Sequence, residues 1–240
     1  MEEQFIRTAM QLGHDNMEKL FAAKVAVFGI GGVGGHCAEA LCRTGIGHID
    51  LFDNDTVSLS NLNRQIVALH STLGQYKVDV MKQRLLDINP KAAIGAHRLF
   101  YLPETAHEVD LSAYDYVVDA IDTVTAKLEL VRQAQFCQTP IISSMGAANR
   151  LDPTALRVTD IYKTSACPLA RIMRRELRKA GISSLKVVCS EEPAGTPVQE
   201  KADGDNSRPT PASNAFVPAA AGLILAGEVI KDIISLGMTP

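Results

Sequence analysis

The chain has 240 residues, with 24 basic side chains against 27 acidic ones, a formal net charge of −3 and 46% hydrophobic residues. A chain this long buries roughly 70% of its unfolded surface without a metal or disulfide staple, and its composition excludes dominant disorder and a wholly basic nucleic-acid coat. The five cysteines, Cys37, Cys42, Cys137, Cys167 and Cys189, are odd in number and none stands in CxxC spacing, which argues against a secreted disulfide framework and a four-cysteine zinc site.

The chain opens on Met1-Glu2-Glu3-Gln4, without the basic stretch and apolar core of a signal peptide, so a cytosolic location is expected. Short apolar runs then alternate with longer helical patterns. Residues 24–29 (KVAVFG) read as a buried strand, 32–44 as a helix and 48–53 (HIDLFD) as a second strand. Residues 73–88 carry apolar side chains at helical spacing and are stopped by Asn89-Pro90. A weaker strand is expected over 92–99, a strong one over 116–120 (YVVDA), a helix over 124–137 and a strand over 140–144 (PIISS). This alternation, with near-continuous apolar strands, predicts a doubly wound, Rossmann-like α/β fold with a mostly parallel sheet.

After Gly146 the pattern changes. Residues 156–161 read as an added strand, 168–180 as a strongly basic helix and 185–189 as a strand. Residues 190–213 are rich in Pro, Gly, Asp and Glu and lack periodicity, which predicts a mobile surface loop. The apolar segment 216–236 predicts a helix buried in the core or in a subunit contact. Its uncharged part, 217–227, is shorter than the ~20 residues of a membrane span. A single domain over 1–240 is expected, with a nucleotide-binding core over 1–146 and an extension over 147–240.

The chemistry concentrates at the ends of the predicted strands. Gly29-Ile30-Gly31-Gly32-Val33-Gly34 is a GxGxxG directly after a strand and at a helix start. Gly29, Gly31, Gly32 and Gly34 permit a tight turn and close backbone approach, and the helix N-terminus offers free N–H groups to phosphate. Asp53 ends the second strand 24 residues past Gly29, where such folds place an acid against a ribose hydroxyl. A nucleotide binds here.

Which nucleotide is decided by Asp53-Asn54-Asp55, then Asn61-Leu62-Asn63-Arg64-Gln65, then Lys77. A dinucleotide site does not need an Arg and a Lys so soon after its ribose acid, whereas a triphosphate does. Arg64 offers a planar fork for phosphate and Lys77 a mobile point charge. Asp119-Ala120-Ile121-Asp122 closes the fourth strand on the edge where ligands bind, and Asp122 is a candidate Mg²⁺ ligand.

GIGGVG, the acid in DND, NLNRQ, the Lys77 region and DAID, in that order, resemble the ATP-binding fold of the ubiquitin-activating-enzyme-like ThiF/MoeB/HesA superfamily. Arg7 also fits, since members carry an N-terminal arginine that reaches the ATP phosphates of the partner subunit, which implies a homodimer. The stretches RTGIGHIDLFDNDTVSLSNLNRQIVALHSTLGQYKVDVMKQRLLDINP, DPTALRVTDIYKTSACPLARIMRRELRK and FVPAAAGLILAGEVIKDI are similar to one branch, the tRNA threonylcarbamoyladenosine dehydratases. MoeB and ThiF typically bind zinc through paired CxxC motifs; this chain has none, so no structural zinc is expected.

The resemblance implies that ATP activates a carboxylate. Arg7, Arg64, Lys77 and Mg²⁺ on Asp122 would neutralise phosphates, while Asp53 and the glycine loop, with Asp55, Asn61, Asn63 and Gln65 around them, would fix the nucleotide. In the dehydratase branch the acid is the threonyl group of threonylcarbamoyladenosine, and its own carbamoyl oxygen closes an oxazolone ring. An intramolecular nucleophile has an effective molarity of ~10⁵ M or more, so no enzyme thiol is required. Cys167 reads either as a thioester-forming nucleophile or sulfur acceptor, with a cysteine desulfurase as partner, or as a helix-start residue ahead of Pro168.

A tRNA substrate requires positive surface. From Arg157 to Lys186 the charges sum to +6, and Arg171, Arg174, Arg175 and Arg178 recur at helical spacing as one face, with Lys163 nearby. Two other functions stand beside the dehydratase. One is an adenylyltransferase for a sulfur-carrier or ubiquitin-like protein; the other is a non-catalytic NAD-binding module that uses the glycine loop alone.

Overall fold

The computed structural model describes residues 2–196, 198 and 211–235. Two helices precede the first strand, α1 (Ile6–Leu12) and α2 (His14–Ala22), joined at Gly13, whose φ of 87° reverses the chain. Neither is predicted by periodicity. Helix α1 has only seven residues, and Ile6 and Met10 on its solvent side blur the apolar stripe that would reveal it.

Seven strands follow: β1 (Lys24–Phe28), β2 (His48–Phe52), β3 (Ala93–His97), β4 (Tyr116–Asp119), β5 (Ile141–Ser144), β6 (Leu156–Asp160) and β7 (Lys186–Ser190). They form one sheet in the order β3-β2-β1-β4-β5-β7-β6, parallel except where β6 runs antiparallel to β7. The helices between and after them are α3 (Gly34–Thr44), α4 (Lys77–Ile88), α5 (Val124–Phe136), α6 (Pro168–Lys179) and α7 (Val217–Ser235).

The strand sequences explain the layers. Successive strand side chains point to opposite faces, so Val25, Val27, Ile49, Leu51, Val118 and Ile142 pack into one core with α1 to α4 and α7. Ala26, Phe28, Phe52, Val117 and Ile141 pack into the other, with α5 and α6. Each buried Val, Leu or Ile contributes about 1.5–3 kcal/mol. The doubly wound, mostly parallel α/β sheet is the architecture the strand–helix alternation predicts.

Two departures have local causes. Helix α4 starts at Lys77 rather than residue 73, because Gly74 takes φ 78° and Tyr76 forms an extended bridge to Thr56. Ser190 belongs to β7, and most of the loop predicted over 190–213 lies outside the described residues. Helix α7 is the buried apolar helix expected. It lies against α3, where a Cβ on Gly222 would meet Val33 O at 2.3 Å, so only glycine permits the approach. Among the described residues no helix is long and apolar enough to cross a membrane.

From β1 the chain winds outward through α3, β2 and α4 to β3, then returns beside β1 as β4 and continues the other way through α5 to β5. The winding direction therefore switches between β1 and β4. Open α/β sheets bind ligands at the carboxyl ends of the strands at such a switch.

Candidate active site

A cleft of about 420 Å³ opens at that switch point. Its floor is aromatic, with Phe28 and Phe52 stacked at 4.4 Å and Tyr101 edge-on to Phe28 at 5.0 Å. Gly29, Gly31, Gly32, Asp53, Asp55, Asn61, Arg64, Gln65, Lys77 and Asp122 all line it. Residues from five predicted motifs thus share one crevice.

The glycines divide the work. Gly29 has φ 86°, donates its N–H to Phe52 O at 2.8 Å, and would place a Cβ 2.6 Å from Ala120 O. Gly34 opens α3 beneath the cleft, where a Cβ would lie 1.8 Å from Gly29 O. These two make the turn. At Gly31 the nearest atom to a Cβ is Gln65 Nε2 at 3.9 Å, so this glycine keeps open a space that faces the ligand.

Asp53 braces the glycine loop. Its Oδ2 accepts the Ile30 N–H at 2.7 Å and its Oδ1 the Asp55 N–H at 2.8 Å, which ties the glycine loop to the end of β2. Burial pushes its carboxyl above the usual range, opposed by the Lys77 charge and those two N–H groups.

Lys77 is the first residue of α4 and is 5% exposed. A cation at a helix N-terminus meets the positive end of the macrodipole. Here Asp55 Oδ2 compensates it from 2.6 Å, with the Asp55 carboxylate itself open to solvent. Arg64 is anchored through Nη1 alone, to Ser60 O at 2.9 Å and Asn63 Oδ1 at 2.8 Å, and its other nitrogens have no partner among the described residues. Gln65 is 7% exposed, and its Oε1 has no hydrogen-bond partner among the described residues. The crevice thus offers two cations, Arg64 and Lys77, that suit an anion, and one acceptor, Gln65 Oε1, that suits a hydroxyl or N–H donor.

Asn61 holds its own turn by accepting the Ser58 N–H on Oδ1 at 3.1 Å. Asp122 presents an exposed carboxylate, the hard oxygen donor that a divalent cation takes. Asn63 does not itself line the cleft but holds two residues that do, donating Nδ2 to Ser213 O at 3.0 Å and accepting Arg64 Nη1 on Oδ1. Arg7 is exposed on α1 and lies outside the cleft of its own chain.

Cys167 is 2% exposed and does not line the cleft. It is the N-cap of α6, with Pro168 at the first helical position, so the helix-start reading describes its place. The Cys189 thiol, the Ala170 and Gly146 N–H groups and the Arg150 charge pull its own thiol well down, against burial.

The basic helix needs one correction. Arg171, Arg175 and Arg178 are exposed on one side, and Lys163 is exposed before the helix. Arg174 instead turns inward and donates Nη1 to Thr164 O at 2.8 Å and to Thr164 Oγ1. At 100° per residue Arg174 falls beside the buried stripe of Ala170, Met173 and Leu177, not on the outer face.

Residues that the motifs did not reveal complete the site. Lys127 Nζ and Asp119 Oδ2 pair at 2.9 Å with neither side chain exposed, and Ser143 Oγ also donates to Asp119. Lys127 donates to Ile121 O at 3.0 Å, so this network shapes the loop that carries Asp122. One signal could have found it: Lys127 falls on the apolar stripe Ala126, Leu130, Val131 and Ala134 of α5, where a lysine requires a buried anion. Ser213 and Pro218 bring the C-terminal part of the chain into the cleft wall.

The pattern of the ThiF family matches residues 5–239. The tRNA threonylcarbamoyladenosine dehydratase of Bacillus subtilis (strain 168) is 43% identical over 243 residues, covering 98% of this chain and 96% of that one. The crystal structure of Escherichia coli tRNA N6-threonylcarbamoyladenosine dehydratase, TcdA, in complex with AMP superposes with a TM-score of 0.91 at 32% identity, covering 99% of this chain and 96% of that one. The ATP complex of the same E. coli enzyme gives 0.88 at 33%, covering 98% and 95%. Sequence and fold agree: the chain belongs to the ThiF family.

Proposed function

We propose that the chain is an ATP-dependent dehydratase that cyclises threonylcarbamoyladenosine in tRNA. The observation that carries this is Lys77, buried at the N-terminus of α4 and lining the same cleft as the open space at Gly31. A buried cation where the helix itself is positive favours negative charge around it; Asp55 supplies one carboxylate from the solvent side, and a triphosphate supplies more. The names of the B. subtilis relative and of the E. coli enzyme crystallised with AMP and ATP support the same substrate pair.

In this scheme Asp53 takes the ribose, the glycine loop the phosphate chain, and Arg64 and Lys77 the α-phosphate and its neighbours. A threonyl carboxylate oxygen attacks the α-phosphorus and pyrophosphate leaves. The carbamoyl oxygen of the same side chain then attacks the activated carbonyl, AMP leaves, and the oxazolone closes with net loss of one water. The chain's contribution is positioning and electrostatic stabilisation of developing charge. Asp122, with phosphate oxygens, fits Mg²⁺, which takes few protein carboxylates and shields phosphate charge. Cyclisation by the substrate's own carbamoyl oxygen gives the buried Cys167 no covalent step in this scheme.

Arg7 acts in trans in a homodimer. It stands on an exposed helix beside Ile6 at 44% and Met10 at 82% exposure, an apolar surface suited to a second copy. The tRNA lies along Lys163, Arg171, Arg175 and Arg178. We further propose that 1–240 works as one adenylating domain, because β5 pairs with β7 across the boundary at residue 146.

The test is nucleoside mass spectrometry after incubating the protein with ATP, Mg²⁺ and tRNA that carries threonylcarbamoyladenosine. Loss of the mass of one water from that nucleoside, with one AMP formed per conversion, is expected. AMP formation only on addition of a carrier protein would establish the adenylyltransferase instead.

A further inference from the structure

The aromatic floor of the cleft continues beyond it as a column of rings. Phe28, Phe52 and His97 are neighbours in register across β1, β2 and β3, on one face of the sheet. Phe28 and Phe52 stack at 4.4 Å and 8°, and Phe52 and His97 at 4.4 Å and 11°. Phe52 is therefore held between two rings; Phe28 and Phe52 line the cleft and His97 does not. Nothing in the catalytic scheme uses His97.

The imidazole is aimed by Asp50, whose Oδ1 lies 3.3 Å from His97 Nε2. The other carboxylate oxygen is already engaged: Tyr114 OH donates to Asp50 Oδ2 at 2.8 Å, and Lys24 Nζ lies 3.9 Å from it. Gly95 makes room for this contact, since a Cβ there would lie 1.8 Å from Asp50 Oδ1 and 2.8 Å from His97 Nε2. A glycine inside a strand weakens it and marks such a close approach. The backbone joins His97 to the site as well. Its carbonyl accepts the Asp53 N–H at 3.2 Å and the Leu99 N–H at 2.9 Å, and both of those residues line the cleft.

We propose that His97 is a positioning residue for ATP. Its ring, aimed by Asp50, fixes Phe52 from outside the cleft and so sets the floor beside Asp53, the residue that takes the ribose. Cross-strand aromatic pairs stabilise a sheet locally, and stacked rings contribute beyond the area they bury. Loss of the outer ring therefore releases Phe52 on the side away from Phe28. The effect falls on ATP binding rather than on the chemical step, because His97 is not in the cleft lining. This role rests on the nucleotide site proposed above.

ATP titration calorimetry and steady-state AMP formation test it together. His97→Ala should weaken ATP binding by about tenfold. The KM for ATP should rise by the same factor, with kcat and the KM for tRNA within about twofold of wild type, the pattern of a lost ground-state contact. A fall in kcat at unchanged KM for ATP would overturn the role. His97→Phe keeps a ring against Phe52 and should recover most of the affinity; a loss equal to that of His97→Ala would also overturn it. Gly95→Ala guards against a folding artefact, because Gly95 is outside the cleft lining and its methyl group meets only the ends of two side chains. It should push Asp50 and His97 apart, keep the fold and weaken ATP binding by about threefold or more. Wild-type ATP affinity in both His97→Ala and Gly95→Ala would overturn the role and leave the site standing, whereas failure of the wild-type protein itself to bind ATP would overturn the site and the role together.

Discussion

Lys127 Nζ lies 2.9 Å from Asp119 Oδ2, and both side chains are fully enclosed at the carboxyl end of β4. The same lysine donates to Ile121 O and the same aspartate accepts from Ile121 N–H at 3.2 Å, so the pair grips the loop that leads to Asp122 from both ends. Removing one partner strands the other charge in the core. Lys127→Met should cost about 3–5 kcal/mol of stability, and Asp119→Asn/Lys127→Met should recover much of that loss. Urea unfolding of the two single variants and the double variant checks this. A double variant no more stable than Lys127→Met would show that shape rather than charge sets the cost.

Gly31 and Gly34 separate binding from folding. A methyl group at Gly31 meets nothing closer than 3.9 Å, but it fills the space left for the ligand. Gly31→Ala should therefore melt within about 0.5 kcal/mol of wild type, the usual range for a harmless surface change, and still lose ATP affinity. At Gly34 a methyl group meets Gly29 O at 1.8 Å, backbone against backbone. Gly34→Ala should lose both stability and ATP binding. Differential scanning calorimetry with and without ATP distinguishes the two.

These contrasts also mark what can be read from the sequence. The turn at Gly29 and Gly34, the acid at Asp53 and the strand alternation were legible because each depends on neighbours within a few residues or on a regular period. Arg174 was not: a count of arginines places it with Arg171, Arg175 and Arg178, and only the direction of the Ala170–Met173–Leu177 stripe turns it towards Thr164. The setting of Arg150 depends on residues 212–214 folding back on the 149–150 backbone, which no local pattern announces. Asn63 stands in the NLNRQ stretch beside Arg64, yet its side chain ties down Ser213, 150 positions away. Contacts of that span leave no local pattern.

Lys77 tests whether the cleft is catalytic. It faces the positive end of α4, and only Asp55 offsets it among the described residues. Lys77→Ala should therefore leave stability nearly unchanged while lowering kcat by about 10²–10³-fold, as expected when one group that stabilises transition-state charge is lost. AMP release measured beside thermal melting checks the pair of outcomes. Full activity in Lys77→Ala would place the phosphates elsewhere.

The outer stripe of α6 makes a prediction that its inner neighbour does not share. Arg171, Arg175 and Arg178 are exposed, Arg175 pairing with Glu176 Oε1 at 2.6 Å and Arg178 lying over the Tyr162 ring at 5.1 Å, so all three present their charge at the surface where phosphate can reach it. Reversing Arg171 and Arg178 to Glu should weaken tRNA binding and flatten its salt dependence by about 0.7–0.9 in the log–log slope for each phosphate left without its cation. ATP affinity should not change. Arg174→Glu should act through stability, because it breaks the bonds to Thr164 and puts a carboxylate beside two oxygen acceptors. Filter binding of tRNA across a salt series, with melting curves alongside, separates the effects. Loss of tRNA affinity from Arg174→Glu at unchanged stability, with Arg171 and Arg178 neutral, would shift the RNA from the outer stripe towards the edge of the helix that faces Thr164.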